Sequence, residues 1–281
     1  MFIKSHDKIK IWYSYRNKSS TKPTLIFIHG WAADWTSWKK EIDFFNRLNF
    51  PTLTLDLRGH GKSDKPNEEE KYSLYAFAKD IEYIRKKEQI NKFILIGHSM
   101  GGMISLNYYK SFKSNKLKSL ILCSTTYRNI LEHNRIKALS PLISNLSEFI
   151  IKNKKIKKKY FSHIKDSDLT KIKLKKFKNL SDYAIFLVGL QQTSLKSVFS
   201  CLEVMMNFNF KDILKKINIP TLILDGDKDP LLSTKDSKEM YKEIKNSEID
   251  FIKNGKHYVN LESPKLINNY ILKFLEKNTL N

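Results

Sequence analysis

The sequence predicts an α/β protein built on a doubly wound, mostly parallel sheet, and three observations support this fold class. Short apolar runs recur along the chain between proline, glycine and asparagine residues, which is typical of strands buried on both faces. Segments with apolar residues at spacings of three and four lie between these runs and indicate amphipathic helices. Strands that alternate with helices favour a parallel sheet covered by helices on both sides.

The expected elements follow from these runs in chain order. We expect strands at 8–15, 24–29, 52–57, 93–96, 117–123 and 221–224, and a less regular strand at 248–252. A turn at 6–7 makes the first of these the second half of an N-terminal hairpin. We expect helices at 35–48, 74–87, 100–112, 235–244 and 266–275.

The alternation of strands and helices stops after Cys123 and resumes at 219–220. Between these points the chain has helical spacing, many lysines and no clear strand. We therefore expect a core formed by residues 1–126 and 210–281, and a helical, lysine-rich cap formed by residues 127–209. Lysine is densest at 152–178, a segment that contains 12 lysines and two acidic residues. This segment supplies nearly half of the net charge of +22.

Composition excludes several classes of protein. Cys123 and Cys201 are too few for a disulfide framework and lack metal-ligand spacing, so we expect no metal and no cofactor. The N-terminus lacks the apolar core of a signal peptide, and no run of about 18 apolar residues predicts a transmembrane helix, so we expect a cytoplasmic protein. Lysines without interleaved aromatics or arginines do not predict nucleic-acid binding.

The segment FILIGHSMGG, at 93–102, predicts a reactive serine. Ser99 lies between Gly97 and Gly101 in the pattern G-x-S-x-G, with a strand before it and a helix after it, as a nucleophile elbow requires. The sharp turn holds the serine at positive φ with its Oγ above the sheet. Side chains at the two flanking positions would collide with the neighbouring strand and helix, which explains both glycines.

A nucleophilic serine needs a histidine base and an acid that orients the histidine. Three histidines follow Ser99, and two of them, His133 and His163, fall in the expected cap. We therefore expect His257, which follows the last strand, to be the base.

The acid is expected after the strand at 221–224, where Asp225, Asp227 and Asp229 all qualify by location. We favour Asp229, because the loop turns at the following proline and can present its carboxylate. Asp227 is the alternative.

Acyl transfer also needs N–H donors for the developing oxyanion. One candidate is the backbone N–H of Met100, the residue after the nucleophile. The other is the backbone N–H of Trp31 in the loop IHGWAADW, where Gly30 lets the chain fold over the strand end.

These segments resemble the α/β-hydrolase fold superfamily, in its serine esterase/lipase-like branch with a helical cap. FIHGWAADWTSW resembles the oxyanion loop, LDLRGHGKSDKP the loop after the fourth strand, IGHSMGGM the elbow, IPTLILDGDKDP the acid loop and GKHYVNLESP the histidine loop. The resemblance implies structural roles for Asp56, Arg58, Gly59 and Gly61, and packing roles for His29 and His98.

The resemblance implies a serine hydrolase that cleaves carboxylic esters of small molecules through an acyl-enzyme. Epoxide hydrolases and haloalkane dehalogenases of this fold use an aspartate in the elbow, whereas Ser99 stands here. A thioesterase, an amidase, a lipase for lysolipids, a C–C bond hydrolase, a perhydrolase and a triad-bearing receptor for small molecules remain alternatives. The basic cap would attract acidic acyl carriers, lipid headgroups or a membrane surface, or is simply a solvated helical face.

Overall fold

The expected architecture is confirmed by a computed structural model that describes residues 1–130 and 193–278. Eight strands form one sheet in the order β1-β2-β4-β3-β5-β6-β7-β8. The pairs β1–β2 and β2–β4 are antiparallel, and every other pair is parallel. The strands are β1 Phe2–Lys4, β2 Lys10–Arg16, β3 Thr24–Ile28, β4 Thr52–Leu55, β5 Phe93–His98, β6 Leu117–Cys123, β7 Thr221–Gly226 and β8 Ser247–Ile252.

Helices cover both faces of this sheet. In the described part of the chain they are α1 Lys39–Arg47, α2 Leu74–Lys87, α3 Met100–Phe112, α4 Leu195–Met206, α5 Lys211–Leu214, α6 Thr234–Glu243, α7 Val259–Glu262 and α8 Pro264–Asn278. Apolar side chains of α2, α3 and α6 pack on one face, and those of α1 and α8 pack on the other.

The central strand β5 shows why the apolar runs are continuous. Its successive side chains point to opposite faces, so that Phe93 and Leu95 join one core and Ile94 and Ile96 join the other. All four are fully buried. A strand covered on both sides needs apolar residues at every position, and the sequence supplies them.

Several boundaries differ from the sequence prediction by a few residues, and three of these differences bear on how the elements begin or end. The helix expected at 35–48 is a 3₁₀ turn, Trp35–Trp38, followed by α1, because the Asp34 carboxylate caps the turn by accepting from the Thr36 N–H at 2.8 Å. Helix α8 begins at Pro264, since proline fits the first helical position. Strand β5 continues to His98, which still pairs with Cys123 of β6.

The chain leaves the core after β6 and returns before β7 at neighbouring points. The Phe210 N–H donates to the Tyr127 carbonyl at 2.7 Å, and Arg128 forms an isolated antiparallel bridge with Asn209. Residues 131–192, which include the basic segment 152–178, His133 and His163, lie outside the described residues. The cap at 127–209 therefore stays a prediction beyond helix α4.

No helix in the described ranges 1–130 and 193–278 combines the length and the apolar character needed to cross a membrane.

Glu41 is an unusual residue in the core. It lies on α1, is fully buried, and neither of its carboxylate oxygens has a hydrogen-bond partner among the described residues. Burial raises the pKa of Glu41 from 4.5 to about 8. The folded protein therefore holds a proton here that the unfolded chain releases above about pH 4.5. This residue makes the fold lose stability as the pH rises from about 5 to 8.

We expect Glu41→Leu to raise the free energy of unfolding by about 1–3 kcal/mol at pH 9, where the wild-type side chain must bury a charge or remain protonated at a cost. The gain should be smaller at pH 5, where the carboxyl is protonated in the folded state. Urea unfolding at both pH values measures this difference. Glu276→Gln, at an exposed position of α8, is the control. An equal gain at both pH values would contradict the prediction.

Candidate active site

Ser99 stands at the turn between β5 and α3 with φ 52° and ψ −118°. This left-handed region is strained for a residue with a side chain. The turn is held by the Ser99 N–H, which donates to the Cys123 carbonyl at 2.9 Å. The Ser99 carbonyl accepts from the Gly102 N–H at 2.9 Å and from the Thr125 hydroxyl at 2.7 Å. The strained serine is thus anchored on both sides of its Cα, to the last residue of β6 and to the segment that follows it.

The glycines around Ser99 lie where backbone segments touch. A Cβ at Gly97 would lie 2.3 Å from the Gly101 carbonyl oxygen, and a Cβ at Gly101 would lie 2.3 Å from the Ile28 carbonyl oxygen. Neither position has room for a methyl group. The steric reason inferred from the sequence for both glycines agrees with these distances.

The structure brings Ser99, His257 and Asp229 together. His257 Nε2 lies 3.0 Å from Ser99 Oγ, and His257 Nδ1 lies 2.8 Å from Asp229 Oδ2. An ionised carboxylate only accepts, so Nδ1 carries the proton and Nε2 is left to accept from the serine hydroxyl. This tautomer is the one that a general base for Ser99 needs.

The second carboxylate oxygen of Asp229 accepts hydrogen bonds from the loop that carries this residue. Asp229 Oδ1 accepts from the backbone N–H groups of Leu231 at 2.7 Å and Leu232 at 3.0 Å. Both oxygens of this buried carboxylate are therefore oriented. Asp227, two residues earlier, is exposed to solvent.

Electrostatics couple His257 and Asp229. Burial alone would lower the pKa of His257, but the charge and hydrogen bond of Asp229 outweigh burial and raise it. Burial would likewise raise the pKa of Asp229, but the charge of His257 and the hydrogen bonds from His257, Leu232 and Leu231 hold it below its ordinary value. The pair thus favours an ionised Asp229 and stabilises a protonated imidazole.

The carboxylate of Asp225 is held by the adjacent backbone and by α6. Its carboxylate accepts from the Gly226 N–H at 2.8 Å and from the hydroxyl of Ser237, which lies on α6. Burial, aided by the charge of Asp229, raises the pKa of Asp225 to about 7. Of the three carboxylates that the sequence allowed, only Asp229 contacts the imidazole.

The acid loop and the histidine loop are in direct backbone contact. The Lys228 N–H donates to the Gly255 carbonyl at 2.9 Å. A Cβ at Gly226 would lie 2.3 Å from the Gly255 oxygen and 2.4 Å from the Lys256 oxygen. The sequence placed Gly226 at a strand end but carried no sign of this contact, because the two loops are far apart along the chain.

His98 holds the backbone of the histidine loop. Its Nε2 lies 2.8 Å from the His257 carbonyl oxygen, so Nε2 carries a proton and donates. Burial and the neighbouring charge of His257 lower the pKa of His98 to about 3, which keeps it neutral. The packing role expected from the sequence is therefore also a hydrogen-bonding role that orients the base.

The two residues expected to supply oxyanion donors, Met100 and Trp31, lie in segments next to Ser99. Met100 is the first residue of α3, where a backbone N–H has no acceptor within its own helix. The loop after β3 passes against the serine, since a Cβ at Gly30 would lie 3.3 Å from Ser99 Cβ. Trp31 follows, and its indole N–H donates to the Val198 carbonyl of α4 at 3.0 Å. The loop is therefore tied to the end of the inserted segment.

One group of side chains in the described residues has metal-ligand spacing, formed by His6, Asp7 and Asp80. Arg58 binds the two carboxylates of this group. Its guanidinium donates to both Asp80 oxygens at 2.8 and 2.7 Å and to Asp7 at 2.8 and 3.1 Å. The guanidinium already donates to both carboxylates, so the group fits an ion-pair network that ties the loop down rather than a metal site.

Comparisons with known proteins agree with the observed fold. A family model described as alpha/beta hydrolase fold matches residues 23–264. Epoxide hydrolase 1 of Caenorhabditis elegans is 23% identical over 280 residues, which cover 96% of this chain and 69% of that protein. "Putative esterase/lipase 2" of Mycoplasma genitalium is 26% identical over 264 residues, which cover 91% of this chain and 90% of that protein.

A solved esterase from Exiguobacterium antarcticum has the same fold. It matches with a TM-score of 0.76 and 19% identity, and the match covers 98% of this chain and 99% of that chain.

The positions of Asp227 and Asp229 allow a matched test. We expect Asp229→Asn to lower kcat on the order of 10³- to 10⁴-fold, because an amide no longer fixes the tautomer or stabilises the imidazolium. Asp227→Asn removes the same charge two residues away and should leave kcat within about twofold, as expected for an exposed group. Steady-state hydrolysis of a p-nitrophenyl ester compares the two. A larger loss at Asp227 would reverse the assignment.

Gly226→Ala should separate the acid loop from the histidine loop, because its methyl group would overlap two backbone carbonyls. A displacement of about 1 Å at the catalytic groups can cost roughly 10²-fold in rate. We expect a loss of this size together with a lower midpoint of thermal unfolding. Asp227→Ala, at the exposed neighbour, is the control. Full activity in Gly226→Ala would refute the contact between the loops.

Proposed function

This chain belongs to the α/β-hydrolase fold family, and we propose that it is a serine hydrolase that cleaves carboxylic esters through an acyl-enzyme. The observation that carries the proposal is the continuous chain of hydrogen bonds from Asp229 through His257 to Ser99, at 2.8 and 3.0 Å. This geometry activates a hydroxyl group that would otherwise be a poor nucleophile.

Acylation begins when Ser99 Oγ attacks the ester carbonyl carbon and its proton passes to His257 Nε2. The carbonyl oxygen becomes an oxyanion, and Asp229 stabilises the imidazolium by its charge. Collapse of the tetrahedral intermediate breaks the bond to the alcohol oxygen. The departing alcohol takes the proton from Nε2, and the acyl group remains on Ser99.

Deacylation repeats these steps with water. His257 Nε2 takes a proton from water as its oxygen attacks the acyl carbon. The second tetrahedral intermediate then breaks its bond to Ser99 Oγ, which recovers the proton. The products are a carboxylic acid and the free enzyme. The Met100 and Trp31 N–H groups are the proposed donors to both oxyanions.

The identity of the elbow residue supports ester cleavage over epoxide opening, although an epoxide hydrolase is among the relatives. A serine that opened an epoxide would form an alkyl ether, which an activated water cannot readily hydrolyse. An ester intermediate on Ser99 is hydrolysable by the His257 base. The serine and histidine pair therefore fits acyl transfer.

The class of ester is a further part of the proposal. The chemistry at Ser99 suits esters and thioesters alike, and the basic segment at 152–178 that would attract acidic acyl carriers or lipids lies outside the described residues. We propose small carboxylic esters as the first substrates to test.

We expect the wild-type protein to hydrolyse p-nitrophenyl esters and to be labelled by a fluorophosphonate at Ser99. Ser99→Ala removes the oxygen that the proposed mechanism acylates and should abolish labelling and lower kcat by about 10³-fold or more. A series from acetate to palmitate measures the acyl length that the site accepts. Mass spectrometry of the labelled peptide locates the adduct. Labelling of another residue, or ester turnover unchanged in Ser99→Ala, would refute the proposal.

A further inference from the structure

Two buried histidines outside the Ser99–His257–Asp229 group connect the loop after β3 to the loop after β4. His29 lies in the first loop and His60 in the second. Their rings stand edge to face with centroids 5.2 Å apart, and both are fully buried. The ring nitrogens of His29 and His60 bond to backbone groups and not to Ser99, His257 or Asp229. The mechanism above therefore gives neither histidine a role.

Each histidine bonds to the other loop and to its own. His29 Nε2 accepts from the Leu57 N–H at 3.0 Å, so Nδ1 carries the proton and donates to the Gly30 carbonyl at 2.8 Å. His60 Nε2 accepts from the Ala32 N–H at 3.3 Å, so its Nδ1–H donates to the Arg58 carbonyl at 3.1 Å. The arrangement is reciprocal.

Both imidazoles have to be neutral, because a protonated ring has no acceptor nitrogen for the opposite loop. Burial meets this condition. It is the largest influence on both rings, lowering the pKa of His29 and bringing the pKa of His60 to about 3. A third hydrogen bond links the two loops, since the Trp35 N–H donates to Asp56 of the second loop at 2.9 Å.

The bond to Gly30 has a direct consequence for the oxyanion site. The Gly30 carbonyl and the Trp31 N–H belong to one planar peptide unit, and in a trans unit they point in opposite directions. The His29 Nδ1–H that holds the carbonyl therefore sets the direction of the Trp31 N–H. His60 holds the next peptide unit through the Ala32 N–H, at a residue whose φ of 51° is strained.

We propose that His29 and His60 are positioning residues for the oxyanion site, with His29 orienting the peptide unit that carries the Trp31 N–H. The inference rests on the proposed hydrolase function, since an oriented donor matters only if an oxyanion forms beside Ser99. His29 touches no substrate atom and acts through the backbone of the loop.

Asparagine and glutamine at position 29 provide a matched test. The Asn Nδ2 lies near the position of the histidine Nδ1 and can still donate to the Gly30 carbonyl, whereas it cannot reach the Leu57 N–H. The longer Gln places its amide near the position of Nε2, where its oxygen can accept from Leu57, but leaves no donor beside the Gly30 carbonyl. His29→Asn thus keeps the proposed orienting bond, and His29→Gln keeps the bond between the loops.

We expect His29→Asn to retain kcat within about tenfold of wild type and His29→Gln to lose about 10²-fold, which is the loss typical of one oxyanion donor. KM should change little in either variant. Binding of an aryl boronic acid, which forms a tetrahedral adduct on the serine, should weaken in parallel with kcat. A purely structural role would lower the midpoint of thermal unfolding without this split between kcat and KM.

His60→Gln and His60→Leu repeat the test at the second ring, and the glutamine should retain more of kcat because it can still accept from the Ala32 N–H. If His29→Gln equals or exceeds His29→Asn in kcat, the proposal is overturned. If the wild-type protein neither hydrolyses esters nor reacts with a fluorophosphonate, the proposed function fails instead. The two failures are therefore distinguishable.

Discussion

The strained turn at Ser99 is the constraint on which the rest of the site depends. A serine at φ 52° persists only because the sheet holds its N–H and carbonyl, through Cys123 and Thr125, on the adjacent strand and the residues after it. The turn also requires backbone contacts that leave no space for a Cβ at Gly97 or Gly101. The local strain is therefore offset by the regular pairing of β5 with β6, and it keeps the hydroxyl above the edge of the sheet.

Four histidines among the described residues are buried, and their pKa values shift in different directions because their partners differ. His29, His60 and His98 each bond to backbone groups, and burial lowers the pKa of all three. His257 faces the carboxylate of Asp229, and its pKa is raised. Histidine thus serves as a neutral hydrogen-bonding residue at 29, 60 and 98 and as the proposed base at 257. The difference is set by one carboxylate.

The carboxylate itself illustrates how far sequence reasoning reaches. Asp225, Asp227 and Asp229 lie within five residues after the strand expected at 221–224, and location alone allowed all three. The turn at the following proline favoured Asp229, and the structure brings that carboxylate to the imidazole. The reasons that the others stay apart are tertiary, because Asp225 is bound by Ser237 of α6 and Asp227 is exposed. The assignment of Asp229 rather than Asp227 as the catalytic acid is a prediction that the variants at these two positions test.

The sequence by itself determined the α/β class and the order along the chain of its main strands and helices, because these follow from local periodicity. It also identified two candidates, Ser99 from the glycines on either side of it and His257 from its place after the last strand. It did not reveal the role of His60, the contact of Gly226 with the histidine loop or the hydrogen bond made by His98. These residues act through contacts between loops distant along the chain. Only the tertiary structure decides such contacts, since the pairing of parallel strands brings the loops at their carboxyl ends to one edge of the sheet.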